Sequence, residues 1–150
     1  MKITFGKLKG KSVGLALLRH PDYIAWVLDQ PSPSGGMKGV IAEANDLIPL
    51  FDAKPIVKRC RGRNCSNQAT RFSVYHGGFD AWPWCDSCDP YSQGASTGRL
   101  SILKTYREAL RHVAFFNAGR REDYRDLLKS MAEAKGLPAR VGEKQAAAFF

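Results

Sequence analysis

No stretch of this sequence approaches the roughly 18 uninterrupted apolar residues that a membrane-spanning helix requires. Its first residues, Met1-Lys2-Ile3-Thr4-Phe5-Gly6-Lys7, lack the long apolar stretch of a secretory signal, so a cytoplasmic location is the expectation. Acidic residues are sparse, 14 against 23 Lys and Arg. They are scattered, and no Asp-x-Glu motif precedes a catalytic helix. No nucleophile–base pair or open metal site can be assembled either, so no enzyme is expected. Cysteine is limited to four residues and histidine to three, which confines any metal chemistry to a few positions.

The 150 residues are 44% hydrophobic and 25% charged, ordinary values for a folded chain. The net charge of +9 makes a polyanion the first partner to consider, against the alternative of a surface that simply keeps the protein soluble. The excess sits at the two ends: five basic and two acidic side chains in residues 1–30, eleven and six in residues 99–150. Lys58, Arg59, Arg61 and Arg63 crowd the first cysteine pair.

An α+β fold is predicted, in four segments. Residues 1–30 read as short strands at Ile3–Phe5 and Ser12–Val13 around a Gly/Lys turn, followed by one or two short helices with Pro21 in a first turn. Residues 31–54 are a Pro/Ser/Gly linker and an amphipathic helix from Met37 to Ile48 that Pro49 should close. Residues 55–98 hold the cysteines: a strand over Pro55–Arg59, a hairpin of strands at Thr70–Tyr75 and Phe79–Trp84 turning at His76-Gly77-Gly78, and a Ser/Gly-rich loop from Pro90 to Gly98. In residues 99–150 one helical stripe runs from Ile102 through Leu103, Tyr106, Ala109, Leu110 and Val113 to Phe116. A second runs from Tyr124 to Met131, giving a helical hairpin, and a short helix follows over Glu143–Phe150. One composite domain built from the four segments is the alternative.

Cys60 and Cys65 are separated by four residues, Cys85 and Cys88 by two, and the pairs by 19. Two such loops, each aiming two thiolates inward from the end of a strand, are the layout of a zinc ribbon. Four sulfurs close a tetrahedral Zn2+ shell and leave no place for an activated water, so the expected ion is structural. Two disulfides would require an oxidising compartment, and an iron–sulfur cluster usually takes a different spacing. A thioredoxin-like role for Trp84-Cys85-Asp86-Ser87-Cys88 would leave the other pair unexplained.

Around these cysteines lie Phe72, Tyr75, Phe79, Trp82, Trp84 and Tyr91. Interleaved with Arg61, Arg63 and Arg71, they suit a stacking platform for unpaired bases, or else the core of a small module; about half are expected inside.

Gly6-Lys7-Leu8-Lys9-Gly10-Lys11-Ser12 places three residues between its glycines where a phosphate-binding P-loop needs four, which excludes that motif. Phe5-Gly6-Lys7-x-Lys9-Gly10-Lys11 followed by Pro21-Asp22-Tyr23-Ile24-x-Trp26-Val27 resembles the small domain at the C-terminus of exodeoxyribonuclease X and in related stand-alone bacterial and phage proteins. The similarity covers about residues 3–28. It departs from the usual pattern at Leu8 and in the inserted Leu17-Leu18-Arg19-His20. The resemblance implies a short hairpin on a short helix and an accessory DNA contact through Lys7, Lys9 and Lys11. It does not carry nuclease activity, because the catalytic acids of that enzyme belong to another domain.

The expected function is therefore a zinc-containing, non-catalytic accessory protein that binds nucleic acid, with single-stranded DNA favoured. Lys7, Lys9, Lys11, Lys58, Arg59, Arg61, Arg63, Arg71, Tyr75 and Trp82 are the candidate contacts. The alternative is a protein-interaction factor of phage or mobile-element type that docks on a host replication, transcription or defence protein. Its clue is the apolar end of residues 141–150. Neither a membrane nor a small-molecule substrate is expected as a partner.

Overall fold

Six consecutive residues, Val13 to Leu18, are buried in the computed structural model, which describes residues 1–95 and 98–150. A helix apolar on every side belongs at the centre of a fold. This one, α1 (Val13–Arg19), packs against α2 (Pro21–Leu28), α3 (Gly36–Ala53), α5 (Arg121–Ala134) and α6 (Glu143–Phe149). The remaining helix, α4 (Tyr106–Phe116), packs on α3 and α5. Three strands, β1 (Arg71–Tyr75), β2 (Trp82–Trp84) and β3 (Leu100–Leu103), form an antiparallel sheet in the order β2-β1-β3. The α+β class is as expected. No helix among the described residues is long and apolar enough to cross a membrane.

The N-terminal segment is turn rather than strand. Gly6 and Gly10 adopt φ of 71° and 88°, and the paired strands shrink to one bridge between Lys2 and Ser12. Ser12 is not a strand residue but the N-cap of α1: its hydroxyl accepts the Leu15 N–H at 3.0 Å and bonds Glu143 at 3.0 Å. Pro21 opens α2 as expected.

Pro49 does not close α3, which runs on to Ala53. An internal proline costs a helix about 3 kcal/mol. Two effects offset it. Phe51 is buried against Tyr106 and Phe149, with ring centroids 5.2 and 5.9 Å away, and full burial of such a side chain is worth about 1.5–3 kcal/mol. The Lys135 ammonium donates to the carbonyls of Phe51, Asp52 and Lys54 at 2.8, 3.4 and 3.0 Å, capping the helix end.

Residues 100–103 are strand, not the first turn of a helix. Thr105 caps α4, accepting the Glu108 N–H at 3.1 Å, so the helix starts at Tyr106. Lys104 therefore lies outside α4. The expected strand over Pro55–Arg59 is reduced to a bridge between Arg59 and Gln68. The loop from Pro90 turns back through Ala95 N–H to Pro90 O, at 2.9 Å; Ser96 and Thr97 lie outside the described residues. The stop at Asn117–Gly119 and helix α5 match expectation.

Helix α6 is present, but its apolar end is not an open surface. Ala146 and Phe149 are in the core, and the Phe150 ring lies 3.1 Å from where a Cβ on Gly14 would stand. The surface that suggested a docking tail is spent on α1 and α3 of the same chain.

Candidate metal centre and adjoining sheet face

Cys60 and Cys65 lie on the loop before β1, Cys85 and Cys88 on the loop after β2. Pairing of β1 with β2, in the register Arg71↔Trp84, Phe72↔Pro83 and Ser73↔Trp82, brings the two loops together. The Arg61 N–H reaches the Pro83 carbonyl at 3.0 Å, tying the first loop to the outer edge of β2. Pro83 is tolerated because β2 is an edge strand.

The four Sγ atoms lie within 4.8 Å of one another, and all four cysteines are free thiols. Cys65 and Cys85 sulfurs are 3.9 Å apart. Four sulfurs around a tetrahedral ion with bonds of about 2.3 Å would be separated by about 3.8 Å, so the cluster has metal-site dimensions. Cys60 Sγ accepts N–H groups from Gly62 at 3.3 Å and Cys85 at 3.2 Å, as a metal thiolate does, and the Asn67 amide approaches Cys85 at 3.8 Å. Gly62 is required by space: a Cβ there would stand 2.5 Å from Cys88 Sγ.

The thiols are also electrostatically interlocked. Burial opposes ionisation of Cys85, but the Ser87 N–H, the Cys88 thiol and N–H, and Asn67 draw its pKa down to about 6. Cys88, hydrogen-bonded to Cys85 and Cys65, is pushed up to about 12. One thiolate forms while its neighbour keeps the proton, and full ionisation of the set calls for a cation among the sulfurs.

Behind Cys88, Asp89 is buried. Burial alone would raise its pKa, yet the Ser92 N–H and hydroxyl, at 2.9 and 3.0 Å, and Arg71 at 3.2 Å hold it below the usual carboxylate range. Arg71 thus anchors the second loop, its charge matched by Asp89. Lys58, Arg59, Arg61 and Arg63 are exposed around the first loop.

Alternation sorts the sheet into two faces. Phe72, Val74, Pro83 and Leu103 are buried and face the helices. Arg71, Ser73 and Tyr75 share the opposite face with Trp82 and Trp84 across β2 and with Leu100 and Ile102 across β3. There the Arg61 guanidinium stands 3.9 Å over the Trp82 ring, and the Trp84 indole donates to Ser73 Oγ at 2.8 Å. Tyr75 is 60% exposed and Trp82 37%. Of the six aromatics near the cysteines Phe72 alone is fully buried and Trp84 half-buried, fewer inside than expected. Trp84, named with the platform aromatics but not among the candidate contacts, shares the face of Trp82 by their two-residue spacing, whereas Ser73 reaches it only through the register of β1 on β2.

Lys7 and Lys9 are exposed and Lys11 half-buried on the N-terminal turn. Lys7 lines a different cavity, beside Trp26 and Arg121. Comparison with protein-family models, curated proteins and solved structures found no match.

Proposed function

We propose that the four cysteines hold one structural Zn2+ and that the open sheet face beside them binds single-stranded DNA, without catalysis. The donor set favours zinc: four thiolates in a closed shell suit a d10 ion with no geometric demand beyond a tetrahedron. Cys60, Cys65, Cys85 and Cys88 would hold it, and its charge would stabilise all four as thiolates. The zinc would act by fixing the loops on either side of β1 and β2, hence the position of Arg61 over Trp82.

The observation that carries the DNA reading is that stacked pair, on a face also bearing Tyr75 and Trp84, with Lys58, Arg59 and Arg63 exposed around the adjoining cysteine loop. Unpaired bases stack on such rings irrespective of sequence, while cations track the phosphates. The N-terminal turn, by its resemblance to the exodeoxyribonuclease X C-terminal domain, would supply a second DNA contact through Lys7, Lys9 and Lys11.

Fluorescence anisotropy with single-stranded and duplex oligonucleotides tests the proposal. Four phosphates neutralised by Lys58, Arg59, Arg61 and Arg63 give a log–log salt slope of about −3. Trp82→Ala should weaken single-strand binding by ~1–3 kcal/mol, the usual value of one stacked base, with the slope unchanged. Arg61→Gln should lower both affinity and slope. Equal affinity for duplex, or binding indifferent to Trp82→Ala, refutes this surface.

A further inference from the structure

The N-terminal turn, α2 and the start of α5 line an open cavity of about 500 Å3. Its apolar wall is Phe5, Tyr23 and Trp26, the last two with ring centroids 6.0 Å apart and tilted by 39°. Trp26 is 50% exposed, which leaves its ring accessible to a ligand. The cationic wall is Lys7, Arg121 and Arg125. Asp22 takes Arg125 at 3.0 Å and Arg121 at 3.6 Å, so two guanidinium groups share one carboxylate. Lys7 has no ion pair among the described residues, and the cavity keeps a positive excess. A third feature is independent of these: the Tyr23 hydroxyl is shielded from solvent and has no hydrogen-bond partner among the described residues. A buried polar group without a partner in the protein is open to one from outside it.

Aromatic rings and cations lining one cavity of this size match a flat heterocycle joined to an anion. We propose that this cavity binds one nucleoside phosphate, its base against Trp26 and its phosphate on Lys7 and Arg121. The ligand is either a free mononucleotide or the phosphorylated end of a strand. The inference rests on the nucleic-acid reading above in taking a nucleotide as its ligand, but it concerns residues separate from the Trp82 face.

The two can be told apart in one experiment, because the chain has three tryptophans, Trp26, Trp82 and Trp84. The indole N–H signals of the full, 15N-labelled, zinc-supplemented chain, assigned by Trp→Phe variants, are followed by NMR. The titrants are dAMP, deoxyadenosine, inorganic phosphate, and an oligonucleotide with and without a 5′-phosphate. Saturable movement of the Trp26 signal with dAMP or with the 5′-phosphorylated strand is expected, and whichever acts at lower concentration identifies the source. Lys7→Gln should weaken that response by about fivefold, as for a partly exposed charge pair, with the other indole signals unmoved. A Trp26 signal still under every titrant overturns the proposal, as does an equal response to inorganic phosphate or an undiminished one in Lys7→Gln. If the oligonucleotide moves Trp82 while no titrant moves Trp26, the cavity proposal fails and the sheet-face reading stands. If dAMP moves Trp26 while no oligonucleotide moves Trp82, the reverse holds.

Discussion

Replacing Gly62 by Ala adds one carbon atom to the first cysteine loop, and the structure says where it would go. The new Cβ would stand 2.5 Å from Cys88 Sγ, 2.9 Å from Cys88 Cβ and 3.2 Å from Cys65 Cβ. Ordinary van der Waals contact begins near 3.4 Å, so Cys88 Sγ must retreat by about 0.9 Å, whereas metal–ligand distances hold to about ±0.2 Å. Relief by moving the Gly62 backbone is restricted, because its N–H is bonded to Cys60 Sγ and its carbonyl takes the Cys65 N–H at 3.1 Å. The expected result is loss of Cys88 from the ligand set and a fall in zinc affinity of at least about a hundredfold, ~2.7 kcal/mol. Competition against a chromophoric chelator measures that affinity, and Co2+ substitution reports whether four sulfurs remain tetrahedral. A variant that binds as tightly as the parent, with an unaltered Co2+ spectrum, would refute the reasoning.

Three further outcomes are expected from the core. Lys135→Met removes the bonds to the α3 end; the loss should be about 2–4 kcal/mol in denaturant unfolding, given about 1.5–3 kcal/mol per charged hydrogen bond set against the relief of a buried ammonium. Phe149→Ala should cost about 3–5 kcal/mol if the ring is core; a fall below about 1 kcal/mol would return residues 141–150 to the role of an external docking segment. His112 is buried, with Nδ1 2.8 Å from Ser101 Oγ, and burial, aided by His76, lowers its pKa. Between the folded pKa and 6.5 the unfolded chain binds more protons, so stability should fall as pH drops through that window and level off below it. His112→Gln should flatten this part of the profile.

The parts of the fold legible in the sequence were those where local chemistry and tertiary packing agree. The two cysteine spacings led to one cluster, and the apolar period of Tyr124, Leu127, Leu128 and Met131 led to α5. Where the two conflict, the sequence misleads. Pro49 reads as a stop, but burial of Phe51 and the reach of Lys135, 84 residues from Phe51, outweigh it. Ile102 and Leu103 fit the helical stripe by spacing, yet Thr105 and Glu108 carry the start signal three residues later, and β3 gains its ladder with β1 from a partner remote in sequence. The candidate site was legible in its four cysteines, which fold into one cluster; the stacking of Arg61 on Trp82 depends on the folded first loop. The site was less legible in Arg71, whose commitment to Asp89 depends on the folded second loop.

Native mass spectrometry of the full chain, prepared reduced and without chelator, tests the metal centre most directly. The account predicts one Zn2+ per chain, lost together with the folded charge-state distribution when Cys60 and Cys88 are both replaced by Ser. A chain that folds with no bound ion, or a double variant that folds like the parent, would contradict it.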